Sequence, residues 1–168
     1  ETGILSGTPT NNHIGNHSVV LKATDSQSSV TSQSFTIAVT NLNDAPVISS
    51  TAITNVNEDS AYSYTFAATD ADSGDTITYA ATTKPSWLNM NSSSGVLSGT
   101  PTNDHVGTHS IVLTATDSTG ASDSQAFTLI VSNVNDAPTV SITPVNSATE
   151  DSAYNSTFRA SDIDAGDT

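Results

Sequence analysis

The chain has 168 residues, three cationic side chains against seventeen carboxylates, and a formal charge of −14. So acidic a surface repels nucleic acid and anionic membranes and favours hard divalent cations that take oxygen ligands, calcium first among them. The absence of cysteine excludes a disulfide framework and thiolate metal sites, and no apolar run approaches the roughly 20 residues of a membrane helix.

Self-similarity sets the organisation. Gly3-Ile4-Leu5-Ser6-Gly7-Thr8-Pro9-Thr10 recurs as Gly95-Val96-Leu97-Ser98-Gly99-Thr100-Pro101-Thr102, an offset of 92 residues. The same offset carries Asn41-Leu42-Asn43-Asp44-Ala45-Pro46 onto Asn133-Val134-Asn135-Asp136-Ala137-Pro138, and Glu58-Asp59-Ser60-Ala61-Tyr62 onto Glu150-Asp151-Ser152-Ala153-Tyr154. Of 76 overlapping positions 43 are identical, too many for low-complexity coincidence, so the period is one structural unit. A proline after a turn-forming Asn-x-Asn-Asp marks the boundary. Residues 1–43 then read as the C-terminal half of one repeat, 44–135 as a complete repeat, and 136–168 as the N-terminal part of the next.

In chain order, the complete repeat offers strands over 47–53, 62–69, 76–81 and 95–98, separated by turns rich in Gly, Asp, Asn and Pro. Ile111, Leu113 and Ala115 alternate with Val112 and Thr114, and Phe127, Leu129 and Val131 with Thr128 and Ile130; both are the period of a half-buried strand. Apolar residues never recur at helical spacing, so no helix of useful length is expected. About seven short strands per unit predict an all-β, Ig-like sandwich repeated in tandem.

The Asn-x-Asn-Asp-Ala-Pro linker, Val56-Asn57-Glu58-Asp59-Ser60, and Ala68-Thr69-Asp70-Ala71-Asp72-Ser73-Gly74-Asp75 together resemble cadherin repeats. Lys84-Pro85-Ser86-Trp87-Leu88, the Gly95 to Pro101 stretch and Ala115-Thr116-Asp117 are similar to the dystroglycan-type cadherin-like and putative-Ig repeats of bacterial surface and adhesin proteins. The resemblance implies a cadherin-like Greek-key sandwich and Ca²⁺ held at domain junctions.

Carried over position by position, it implies ligands at the first junction from Asn41, Asn43 and Asp44, with Asp70, Asp72 and Asp117 of the following domain. At the second junction it implies Asn133, Asn135 and Asp136, with Glu58 and Asp104 from the preceding domain and Asp162 and Asp164 from the next. Asp-x-Asp puts alternate side chains on one side of an extended loop, and Gly74 or Gly166 permits the turn that wraps an ion. The chain departs from the cadherin pattern where Asn41 and Asn133 replace a leading Asp and Ala45 and Ala137 a closing Asn. The cadherin Asp-Arg-Glu motif gives way to a Gly-Thr-Pro-Thr-Asn-Asp stretch. Fewer carboxylates imply one or two ions per junction rather than three.

His13 and His17, with their copies His105 and His109, have the spacing of a helical metal pair, but their segments contain glycine and are not helical. Trp87 reads as a core anchor or a sugar-stacking platform. No nucleophile elbow, phosphate-cradling loop or independent carboxylate pair appears, so an enzyme is not expected. The expected function is a calcium-rigidified structural extender of a large secreted or cell-surface adhesin, whose partners are neighbouring repeats of the same chain. The alternative is a calcium-dependent module for carbohydrate or homophilic cell–cell contact.

Overall fold

A computed structural model describes residues 3–164 and 166. Its first part is a 3-10 turn, Asn11–His13, and an antiparallel hairpin of β1 (Gly15–Thr24) and β2 (Val30–Val39). Pairing runs without a slip from Gly15 opposite Val39 to Thr24 opposite Val30. Asp25 closes the hairpin, its Oδ1 accepting the Gln27 and Ser29 N–H groups at 2.9 and 2.8 Å.

The central part contains β3 (Val47–Ile48), β4 (Asn55–Asn57), β5 (Tyr62–Thr65), β6 (Ala68–Thr69), β7 (Thr78–Thr83), β8 (Asn89–Met90), β9 (Val96–Gly99), a second 3-10 turn (Asn103–His105), β10 (Gly107–Thr116) and β11 (Ser122–Ser132). One sheet has the order β4-β11-β10-β7, with β4 parallel to β11; the other has the order β5-β9-β8, and β3 pairs with β6 beside them. Strands β5 and β6 belong to one stretch that changes partner at Phe66 and Ala67, where Ala67 N–H turns to the Ser50 hydroxyl at 2.9 Å. Counting β3 with β4, and β5 with β6, as broken strands gives the seven expected of an all-β sandwich. The 47–53 stretch is laddered only at Val47–Ile48, and β4 and β8 are pairings that periodicity does not announce.

The core lies between these sheets because their inward positions alternate. Tyr62 and Tyr64 of β5, Leu97 of β9, Ile111, Leu113 and Ala115 of β10 and Leu129 of β11 are buried, with Phe66 and Leu88. Phe66 meets Tyr79 edge-on at 5.6 Å, and Tyr64 meets Phe127 at 5.9 Å, geometries that suit the aromatic quadrupole. The buried tyrosine hydroxyls are satisfied: Tyr62 donates to the Ile53 carbonyl at 2.8 Å and Tyr64 to Gln125 Oε1 at 2.7 Å. The last part, β12 (Thr139–Ile142) and β13 (Phe158–Ser161), is a second antiparallel pair.

The histidine pairs serve the backbone. His105 Nδ1 accepts the Thr102 N–H at 3.0 Å and His109 Nε2 donates to the His105 carbonyl at 2.7 Å; His13 and His17 repeat both contacts. Trp87 is half-buried and packs on His105 and His109, with ring centroids 5.8 and 6.0 Å away.

Two candidate cation centres

The first centre gathers where the linker meets the loops at one end of the sandwich. After β6 the chain turns through Asp70 to Asp75: Asp72 N–H donates to Asp70 Oδ1 at 2.8 Å, and Gly74, at φ +91°, completes a turn that side chains resist. Asp117 follows β10 and caps the turn into β11, its Oδ1 accepting the N–H groups of Thr119, Gly120 and Ala121 at 2.9, 2.7 and 2.8 Å. Oδ2 is then free to accept the Asn43 amide at 2.8 Å, while Asp44 N–H reaches Asp72 Oδ2 at 2.8 Å. The Asn43 hydrogen bond, reinforced by the turn's own donors, holds the Asp117 carboxyl below its ordinary value. Carboxylate oxygens of Asp70, Asp75 and Asp117 come within 4.8 Å of one another.

The second centre lies across the next linker. Glu58 follows β4 and is 1% exposed; its N–H donates to the Ser132 carbonyl at 3.0 Å, and Oε1 accepts Val134 N–H at 2.7 Å. Asp59 is in the left-handed region at φ 57°, held by an N–H bond to the Pro101 carbonyl at 2.8 Å. Carboxylate oxygens of Glu58, Asp59 and Asp136 converge within 4.8 Å. Asp136 N–H donates to Asp164 Oδ2 at 2.7 Å, and Asp164 N–H to Asp162 Oδ1 at 2.9 Å, as in the Asp44, Asp72 and Asp70 arrangement.

The donor set fits a hard divalent cation. Asp70 Oδ2, Asp72 Oδ1 and Glu58 Oε2 are buried with no hydrogen-bond partner, and an unpartnered buried carboxylate oxygen is unfavourable unless a positive charge faces it. Ca²⁺ takes 6–8 oxygens, and carboxylates brought in from separated segments supply them in the way these loops do.

Of the residues singled out from sequence, Asn43, Asp44, Asp70, Asp72 and Asp117 meet at the first junction. Glu58, Asp136, Asp162 and Asp164 lie together at the second, where the Asn135 amide donates to the Asp136 carbonyl at 2.9 Å. Asn41, Asn133 and Asp104 are exposed, and Asp104 lies in neither carboxylate group among the described residues. Its neighbour Asn103 instead donates to Asp164 Oδ1 at 2.9 Å, and Asn11 to Asp44 Oδ2 at 2.8 Å. Asp59, Asp75, Asn11 and Asn103 were not singled out, although the repeat marked them: Asn11 recurs as Asn103, whereas Asp104 stands where the first copy has Asn12. Asp167, the counterpart of Asp75, lies outside the described residues.

A two-sheet sandwich with acidic loops at its junctions defines a cadherin-like, Ig-type repeat. The chain belongs to the family described as "Putative Ig domain", which matches residues 1–40 and 45–132. Among curated proteins it is similar to the "Serine-rich adhesin for platelets" of Staphylococcus aureus (strain MRSA252), 32% identical over 126 residues. That match takes in 75% of this chain and 9% of the relative's length. Among solved structures it is similar to "Protocadherin gammaB7 EC3-6 cis-dimer structure", with a TM-score of 0.64 and 24% identity over 93% of this chain and 45% of that one. It is also similar to protocadherin gamma B2 extracellular cadherin domains 1-5, with a TM-score of 0.60 and 23% identity over 93% of this chain and 33% of that one. Both likenesses are likenesses of fold. Among the described residues no helix is long and apolar enough to cross a membrane.

Proposed function

We propose that the chain is a calcium-rigidified rod segment of a large secreted or cell-surface adhesin, in which the C-terminal half of one repeat (1–43), a complete repeat (44–135) and the N-terminal part of the next (136–168) are joined by ion-binding linkers. The observation that carries the reading is the convergence of loop carboxylates at both ends of the central sandwich, joined at the second by the linker's Asp136, with three buried oxygens unpartnered. Asp70, Asp75 and Asp117 would hold an ion beside Asn43 and Asp44, and Glu58, Asp59 and Asp136 another beside Asp164. The ion would supply positive charge that turns mutual repulsion into a fixed junction. The name of the staphylococcal relative supports the adhesin setting. In this reading the segment itself carries no catalysis; its function is length and stiffness.

Calorimetric titration with calcium, paired with thermal melting in calcium and in chelator, tests the reading. Saturation at 100 times the dissociation constant should stabilise the binding unit by about 2.7 kcal/mol and raise the melting temperature accordingly. Asp70→Ala and Asp72→Ala should each abolish most of that gain. A parent chain that takes up no heat and melts identically in chelator would end the calcium reading and leave the sandwich intact.

A further inference from the structure

At both junctions a neutral amide crosses from the preceding unit to a carboxylate beyond it. Asn11 Nδ2 donates to Asp44 Oδ2 at 2.8 Å, and Asn103 Nδ2 donates to Asp164 Oδ1 at 2.9 Å. The acceptors differ by name but belong to equivalent pairs, since Asp44 N–H is bonded to Asp72 Oδ2 and Asp136 N–H to Asp164 Oδ2. Each asparagine therefore feeds the same aspartate pair of its junction. Asn103 sits on the 3-10 turn Asn103–His105, which is closed by its own cap and anchored just before it: His105 Nδ1 accepts the Thr102 N–H, and the Pro101 carbonyl accepts the Asp59 N–H at 2.8 Å. Asp164 is 6% exposed, so the bond is shielded from competing water.

We infer that Asn103, and Asn11 in the preceding copy, are positioning residues that tether consecutive repeats without an ion. The inference rests on the rod reading only in taking the junction as the joint that sets stiffness. A carboxylate in that place would need a cation to face Asp164; an amide donates to it directly and leaves the count of negative charges unchanged. The junction thus keeps a bias towards the aligned state when calcium is withdrawn, and calcium then tightens a joint already held in register.

The chain has no cysteine, so spin labels can be placed cleanly at Thr128→Cys and Ser147→Cys, both exposed and on opposite sides of the second linker. Label-to-label distance distributions of the whole chain are then compared in chelator and in saturating calcium. In chelator, Asn103→Ala should increase the bent population about tenfold, the loss expected for a hydrogen bond to a charged group. The melting temperature of the central sandwich should not move, which separates loss of the tether from loss of the fold. Asn103→Asp should be broad in chelator and narrow in calcium, because its added charge needs an ion to face Asp164. Asn103→Ala distributions that match the parent in chelator overturn the tether. Weakened calcium uptake with no change in chelator also overturns it and makes Asn103 an ion ligand. If the parent shows no calcium response while Asn103→Ala still broadens in chelator, the tether stands and the calcium reading falls.

Discussion

The β1–β2 and β10–β11 hairpins are the same object by local rules and different objects by burial. Every paired position of one is 92 residues from its counterpart in the other, with the same register from Gly15–Val39 and Gly107–Val131 to the turn. Yet Leu21 is 43% exposed where Leu113 is 0%, and Ile37 is 40% exposed where Leu129 is 0%. His13 lies on the 3-10 turn before the first hairpin and His17 on β1. Their counterparts His105 and His109 carry Trp87, the only tryptophan of the chain. Local sequence thus decides pairing and turn, whereas the facing sheet decides whether the same side chains become a core.

The largest effect should come from breaking the buried member. Leu113→Ala removes side-chain volume from a closed core and should cost about 2–5 kcal/mol, whereas Leu21→Ala, half in water, should cost under about 1 kcal/mol. Denaturant unfolding followed by Trp87 fluorescence reads the central sandwich alone, so only the first substitution should shift that transition. Equal shifts would mean that the hairpins share one cooperative unit.

Gly95 and Gly3 sharpen the contrast at the backbone. Gly95 sits at φ +70°, and a Cβ there would strike the Phe66 carbonyl oxygen and crowd the Tyr79 ring; a Cβ on Gly3 would meet nothing within 4 Å. Gly95→Ala should cost about 1–3 kcal/mol, the range for a strained backbone conformation, and Gly3→Ala should leave the melting temperature unchanged.

A smaller effect separates Tyr62 from Tyr154. Both hydroxyls donate to equivalent carbonyls, Ile53 at 2.8 Å and Val145 at 2.9 Å, but Tyr62 is 3% exposed and Tyr154 55%. Burial, with the neighbouring Tyr64 phenol, pushes Tyr62 up to about 12. A group whose folded value is raised stabilises the fold below its unfolded value of about 10 and loses that contribution as pH rises through the folded value. Alkaline titration followed by phenolate absorbance should therefore show Tyr62 ionising late, with stability falling between about pH 10 and 12, and Tyr62→Phe should remove that component.

Much of this was legible in the residues. The alternation of Ile111, Leu113 and Ala115 announced the buried face of β10, and the 92-residue offset carries the register of one hairpin onto the other. Two features were not. The β4 segment, Asn55–Asn57, is polar and has no periodicity of its own; it is a strand because β11 lies parallel beside it, with Thr54 accepting the Ile130 N–H. Asp59 and Asp75 stand inside the recognised motifs, but one carboxylate next to another is indistinguishable from a hydrophilic turn until the backbone aims it. The φ of 57° at Asp59 does so, as does the Ser118 hydroxyl donating to Asp75. Charge marks Asp104, but identity between the copies marks Asn103, and it is Asn103 that reaches Asp164.

The finest test of the paired hairpins is in their turns. Asp25 and Asp117 cap the same turn through Oδ1, and Asp117 also receives an amide from the linker, Asn43 at 2.8 Å. That bond is the leading cause of its lowered carboxyl value. A carboxylate lowered on folding contributes stability that is present above its unfolded value, about 3.9, and lost as pH falls through the folded value. Acid should therefore loosen the first junction only below about pH 4. Asn43→Ala should move the Asp117 titration upward in carboxyl-carbon NMR. An Asp117 midpoint unmoved by the substitution would mean that the turn's own N–H groups set its charge, and that the linker is held to the sandwich by Asp44 and Asp72 alone.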